Sequence, residues 1–93
     1  MATRLMSPLL FRNGVSAPNR IWLAPMTNKA GLDNGHLSED ELMFLRARAN
    51  GGFGVIETCA THVTEAGQGW VRELGLFSDE LIEDWQRLST AVC

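Results

Sequence analysis

The chain has 93 residues, 45% hydrophobic and 20% charged, with a formal net charge of −3; that is one small domain, and a chain so short buries too little surface for more than marginal independent stability. Its eight basic residues are scattered and form no nucleic-acid patch, and two cysteines are no disulfide framework. No stretch nears the roughly 20 apolar residues of a membrane span, and the broken apolar run MATRLMSPLLFRN is too short for a secretory leader, so no membrane partner and a reducing cytoplasm are expected.

In chain order, the first signal is a hairpin. Pro8-Leu9-Leu10-Phe11 and Val15-Ser16-Ala17 flank Arg12-Asn13-Gly14, and Asn-Gly is a strong turn signal. Ile21 to Ala24 is a continuous apolar run, the pattern of a strand buried on both faces, and Pro25 ends it because proline has no N–H for a ladder. Thr27 to Leu37 reads as loop. Ser38-Glu39-Asp40-Glu41 is a capping box, in which Ser38 accepts from the Glu41 N–H and the Glu41 carboxylate reaches back. Leu42, Leu45 and Ala49 form the apolar face of the helix, and Asn50-Gly51-Gly52 stops it with a residue tolerant of left-handed geometry. Phe53 to Ala60 is the next strand, and Thr61 to Phe77 a long loop. Ser78 caps a last helix whose apolar face is Leu81, Trp85, Leu88 and Val92, with Asp79 and Glu80 at the positive end of its dipole.

Strands alternating with helices imply parallel pairing and right-handed crossovers. Two parallel strands cannot cover two helices, so the pattern is the opening of a larger α/β structure. Periodicity does not say which one.

The chemistry-bearing residues have bland readings too. Cys59 and His62 have a Cys-x-x-His spacing, but a zinc site needs about four ligands and only His36 and Cys93 remain, far off in sequence. A buried cysteine and a loop histidine are the better reading, with no metal. Gly51-Gly52-Phe53-Gly54 precedes a strand instead of opening a helix, the wrong context for a dinucleotide fingerprint. Thr27, on pattern alone, is a turn residue.

A set of stretches in fixed order carries a resemblance. They are Asn19-Arg20-Ile21, Ala24-Pro25-Met26-Thr27-Asn28, Asn34-Gly35, Arg48-Ala49-Asn50-Gly51-Gly52-Phe53-Gly54, Thr58-Cys59-Ala60-Thr61-His62-Val63, Gly67-Gln68-Gly69 and Phe77-Ser78-Asp79. From about Leu10 to Leu88 the chain resembles the N-terminal portion of the Old Yellow Enzyme family of NADH:flavin oxidoreductases (NADH oxidases). The resemblance implies an α/β fold, the N-terminal portion of a (β/α)8 TIM barrel. Residues 1–93 would be a partial domain, with a β-hairpin in 1–18 and the first two βα units in 19–93. Barrel chemistry sits past the C-terminal ends of the strands. There the resemblance places Pro25, Met26 and Thr27 against an FMN ring, with the Thr27 hydroxyl stabilising charge on the reduced flavin. Ala60 is the small residue that lets the flavin approach.

The implied activity is hydride transfer from NAD(P)H through FMN to an activated alkene such as an enone. The family's glutamine from the third strand, its histidine pair and its tyrosine have no counterpart here, and the chain has no Tyr. No catalytic residue is therefore assigned within it. The competing expectation is a truncated, non-catalytic fragment, or a half-barrel that needs partner chains.

Overall fold

The structure is a computed structural model and describes residues 2–93. It opens with a short helix, α1 (Ala2–Met6), which no sequence signal marks, since its first turn carries no acid. The hairpin follows as expected. Strand β1 (Leu9–Leu10) pairs antiparallel with β2 (Ser16–Ala17), Leu9 opposite Ala17. Gly14 turns the chain at φ +89°, and Asn13 Oδ1 accepts from the Val15 N–H at 3.0 Å. Arg20 ties α1 and the approach to the hairpin to the rest: its N–H donates to the Leu5 carbonyl, its Nε to Ser7 Oγ at 3.1 Å and its guanidinium to the Pro8 carbonyl at 3.2 Å.

Strand β3 (Trp22–Leu23) and strand β4 (Val55–Ile56) pair in parallel, with Trp22 opposite Val55 and Leu23 opposite Ile56. The ladder extends by one bond at each end, from the Gly54 N–H to the Ile21 carbonyl and from the Glu57 N–H to the Leu23 carbonyl. Parallel pairing is as expected; burial on both faces is not. Leu23 is buried, but Ile21 and Trp22 are exposed; among the described residues β4 is the only strand beside β3. Asn19, buried, bridges the approach to β3 and the approach to β4. Its Nδ2 donates to the Gly52 carbonyl at 2.7 Å and its Oδ1 accepts from the Ile21 N–H at 3.0 Å.

Between these strands runs α2 (Glu39–Asn50). Ser38 caps it as the sequence indicates, its Oγ accepting from the Glu41 N–H at 3.0 Å. The other half of the capping box is absent: the Glu41 carboxylate turns inward to Cys59 instead of back to Ser38. Leu42 and Leu45 enter the core with Leu23, Leu37, Leu74 and Leu88. Gly52, at φ +106°, takes the left-handed conformation that lets the chain double back into β4.

The stretch from Thr61 to Phe77, expected to be loop, holds a second parallel pair. Strand β5 (Thr61–His62) lies beside β6 (Leu74–Gly75), with a 3₁₀ turn at Glu65–Gly67 between them. Two-residue strands have no alternation to read, which is why the pattern missed them. A 3₁₀ turn (Asp79–Leu81) leads into α3 (Ile82–Val92). Ser78 precedes it in extended conformation but makes no side-chain cap; only its carbonyl is used, by the Leu81 N–H. The predicted face is right: Leu81 and Leu88 are buried, and Trp85 and Val92 pack on the core. Asp84 Oδ2 ties α3 to the segment before α2 through the Leu37 N–H (3.0 Å) and His36 Nδ1 (2.6 Å).

The described residues thus form an α/β arrangement of three two-stranded sheets and three helices, with no closed barrel. None of the described helices is long and apolar enough to cross a membrane.

Candidate functional site

Because β3 and β4 run in parallel, their C-terminal ends leave the sheet on one side. The segment Ala24–Asn28 follows β3 there, and Glu57–Ala60 follows β4. Pro25, Met26, Thr27 and Ala60 are all exposed, and Met26 keeps 48% of its surface open. An exposed thioether, proline ring, hydroxyl and methyl on two segments that leave the sheet on one side make a surface that is mostly apolar with one hydrogen-bonding group.

Beneath this rim lies a polar knot. Glu41 is 0% exposed, yet it carries a carboxylate. The Cys59 thiol donates to its Oε1 at 2.8 Å, and Asn28 Nδ2 approaches the same oxygen at 3.5 Å. Asn28 Oδ1 accepts from the Ala30 N–H at 3.1 Å, while the Ser38 hydroxyl donates to the Ala30 carbonyl. The start of α2 therefore holds the residue after Thr27 and the residue before Ala60 at one point. Oε2 of Glu41 is buried with no hydrogen-bond partner among the described residues. A buried, half-satisfied carboxylate is costly, and native structures carry few.

The same knot fixes the character of Cys59. Burial pushes its thiol up to about 12, helped by the hydrogen bond to Glu41 and by the negative charges of Glu41 and Glu73. A thiol held so firmly protonated is a poor nucleophile and a poor metal ligand. His62, the other half of the Cys-x-x-His spacing, is occupied elsewhere: its Nδ1 meets the Thr64 carbonyl at 2.8 Å and its ring lies 4.9 Å from that of Phe77. A cavity of about 80 Å³ opens beside it, between Asp33, Asn34, Glu65 and Gln68. None of Pro25, Met26, Thr27 and Ala60 lines it.

On sequence pattern alone Glu41 is a capping residue and nothing more. One signal of its burial is in the sequence: it stands four residues before Leu45, on the same face of the helix.

The chain matches the model of the NADH:flavin oxidoreductase / NADH oxidase family over residues 4–93. It is 32% identical, over 95% of its length, to a probable NADH-dependent flavin oxidoreductase, YqiG, of Bacillus subtilis, and covers 23% of that protein. Among solved structures it superposes on an Old Yellow Enzyme homologue from Zymomonas mobilis with a TM-score of 0.84 at 32% identity, over 95% of this chain and 24% of that one. On a 2-naphthoyl-CoA reductase the TM-score is 0.91 at 26% identity, over 99% of this chain and 14% of the other. The chain spans about a quarter of YqiG and of the Zymomonas homologue, and less of the reductase.

Proposed function

The chain belongs to the NADH:flavin oxidoreductase / NADH oxidase family, whose members use FMN with NAD(P)H as reductant, and from that premise we propose that it forms the first part of an Old Yellow Enzyme-type flavin site. In this reading residues 1–93 are the N-terminal part of a (β/α)8 barrel, with the hairpin in 1–18 and two βα units in 19–93. When bound, FMN supplies hydride transfer from NAD(P)H to an activated alkene. The chain's own residues receive and orient the ring. Pro25 and Met26 offer it an apolar surface, and Ala60 keeps that surface low enough for close approach. Thr27 brings a hydroxyl donor that favours negative charge on the reduced ring.

The observation that carries this reading is the parallel pairing of β3 with β4, which sends both segments off the sheet on one side. The residues themselves fit: all four are exposed, and a flat aromatic group needs apolar contact with few, placed polar groups. The same count limits what the chain does alone. The four supply no anchor for a phosphate and no proton donor to the substrate, so the isolated chain is expected to bind FMN weakly and to reduce no alkene.

Titrating FMN to millimolar concentration into the isotope-labelled chain, followed by amide chemical shifts, tests the proposal. Shifts concentrated at Met26, Thr27 and Ala60 are expected, with no NADPH oxidation in the presence of an enone. Shifts concentrated at the opposite end of β3 and β4, or none at all, would overturn the flavin assignment. Enone turnover would overturn the limit placed on the isolated chain.

A further inference from the structure

We propose that Glu41 is a positioning residue that clamps the two rim segments, Thr27–Asn28 and Cys59–Ala60, into a single register. The inference rests on the flavin reading above for its purpose, but its geometry stands separately. Three observations carry it.

The first is convergence. Asn28 Nδ2 and Cys59 Sγ approach the same oxygen, Glu41 Oε1, at 3.5 and 2.8 Å. Asn28 adjoins Thr27, and Cys59 adjoins Ala60. One carboxylate oxygen thus sets the spacing between two segments that the short β3–β4 ladder alone leaves free to splay beyond its last bond, at Glu57.

The second is the anchor. Glu41 sits in the first turn of α2, and its own N–H is held by Ser38 Oγ at 3.0 Å. The Ser38 hydroxyl also donates to the Ala30 carbonyl. The loop after Thr27 is therefore tied to the helix start at two points, Asn28 and Ala30, and the carboxylate is presented from a rigid element. Sites held by helices and strands keep their geometry better than sites held by loops alone.

The third is what a purely stabilising residue would not show. Glu41 is fully buried, and its Oε2 has no hydrogen-bond partner among the described residues. An apolar side chain at this point of the Leu45 face would add to the core without that cost. Residues that break the local rule with no gain in stability mark functional sites. A carboxylate here has one use that leucine lacks: it accepts from two donors on two different segments at once. Glu73 is the other acid whose charge acts on Cys59.

The test uses the 93-residue chain and two substitutions at Cys59 that remove or keep the donor. Cys59→Ala deletes the bond to Glu41. Cys59→Ser keeps a hydroxyl that donates to it. Amide shifts are read at Thr27–Ala30, which Glu41 Oε1 links to Cys59 through Asn28, and hydrogen exchange at the Ala30 amide, which donates to Asn28 Oδ1. The expected result is that Cys59→Ala moves these amides and speeds exchange of the Ala30 amide about tenfold, the loss of one hydrogen bond to a charged group, and that Cys59→Ser restores them. In a Glu41→Gln background the Cys59→Ala change is expected to add less, since the charged acceptor is already gone.

A purely packing role for Cys59 predicts effects that fade with distance from it, with no rescue by serine. Unchanged Thr27–Ala30 amides in Cys59→Ala, or equal changes in both variants, would overturn the clamp. The FMN titration separates the two readings. If the parent chain responds to FMN at Met26, Thr27 and Ala60 and Cys59→Ala responds equally at the same FMN concentration, the clamp fails and the flavin site stands. If the parent chain shows no response there, the flavin reading fails and takes the purpose of the clamp with it, whatever the coupling measured between Cys59 and Asn28.

Discussion

Asn19 stands where a side chain on Gly54 would have to go: a Cβ at that glycine would lie 2.5 Å from Asn19 Oδ1. Atoms do not pack that closely, and Asn19 cannot retreat, since both ends of its amide are hydrogen bonded to backbone. Gly54→Ala is therefore expected to destabilise the chain by about 1–3 kcal/mol, read as a lower urea midpoint. Asn19→Ala is expected to cost about 1 kcal/mol, by taking their side-chain partner from the Ile21 N–H and the Gly52 carbonyl, both in part-buried hydrogen bonds.

Ser38→Ala removes the one side-chain cap that α2 has and, with it, the link to Ala30. A loss of about 1 kcal/mol is expected. Amide exchange should rise both in the first turn of α2 and at Ala30, a pairing that loss of a cap alone does not produce.

Stability should fall at alkaline pH because of Cys59. Its folded thiol is pushed up to about 12 against an ordinary value of 9.0, chiefly by burial and then by Glu41. Between those values the unfolded chain gives up this proton and the folded chain keeps it, so rising pH favours unfolding. The contribution is fully present below pH 9 and lost as pH climbs toward 12. Urea midpoints measured against pH for the parent chain and for Cys59→Ser should diverge in this window, since serine does not titrate there.

Ala60→Leu probes the rim without touching the core, because Ala60 is exposed. Its far-UV circular dichroism and urea midpoint are expected to match the parent within about 0.5 kcal/mol. Its amide response to millimolar FMN is expected to vanish at Met26 and Thr27, because the larger side chain stands in the space assigned to the ring. A response equal to the parent's would remove Ala60 from the site.

What could be read from the sequence was local. The Asn13-Gly14 turn, the Ser38 cap, the left-handed Gly52 and the apolar face of α3 all depend on residues within a turn or two of one another. What could not be read depended on distant partners. Glu41 had two options, the Ser38 N–H and the Cys59 thiol, and the choice rests on a residue 18 positions away. The β5–β6 pair has two rungs and no run of its own to signal it. Ser78 looks like a cap, yet the chain enters α3 through a 3₁₀ turn that presents its hydroxyl to no N–H. The rim residues Pro25, Met26, Thr27 and Ala60 came from resemblance. Pattern placed them only as the residues following two strands.

The β3–β4 ladder also sets an order of events in folding. Asn19 and Gly52, whose bond closes this unit, lie 33 residues apart in the chain, so the loop must lose its closure entropy before two short rungs return anything. A disordered 33-residue loop is a poor starting point; one already shortened by α2 is a far better one. Helices form in about a microsecond or less. The capped helix is thus expected to form first and carry the two strand segments toward each other. Substitutions at the cap should slow folding, and substitutions in the ladder should mainly hasten unfolding.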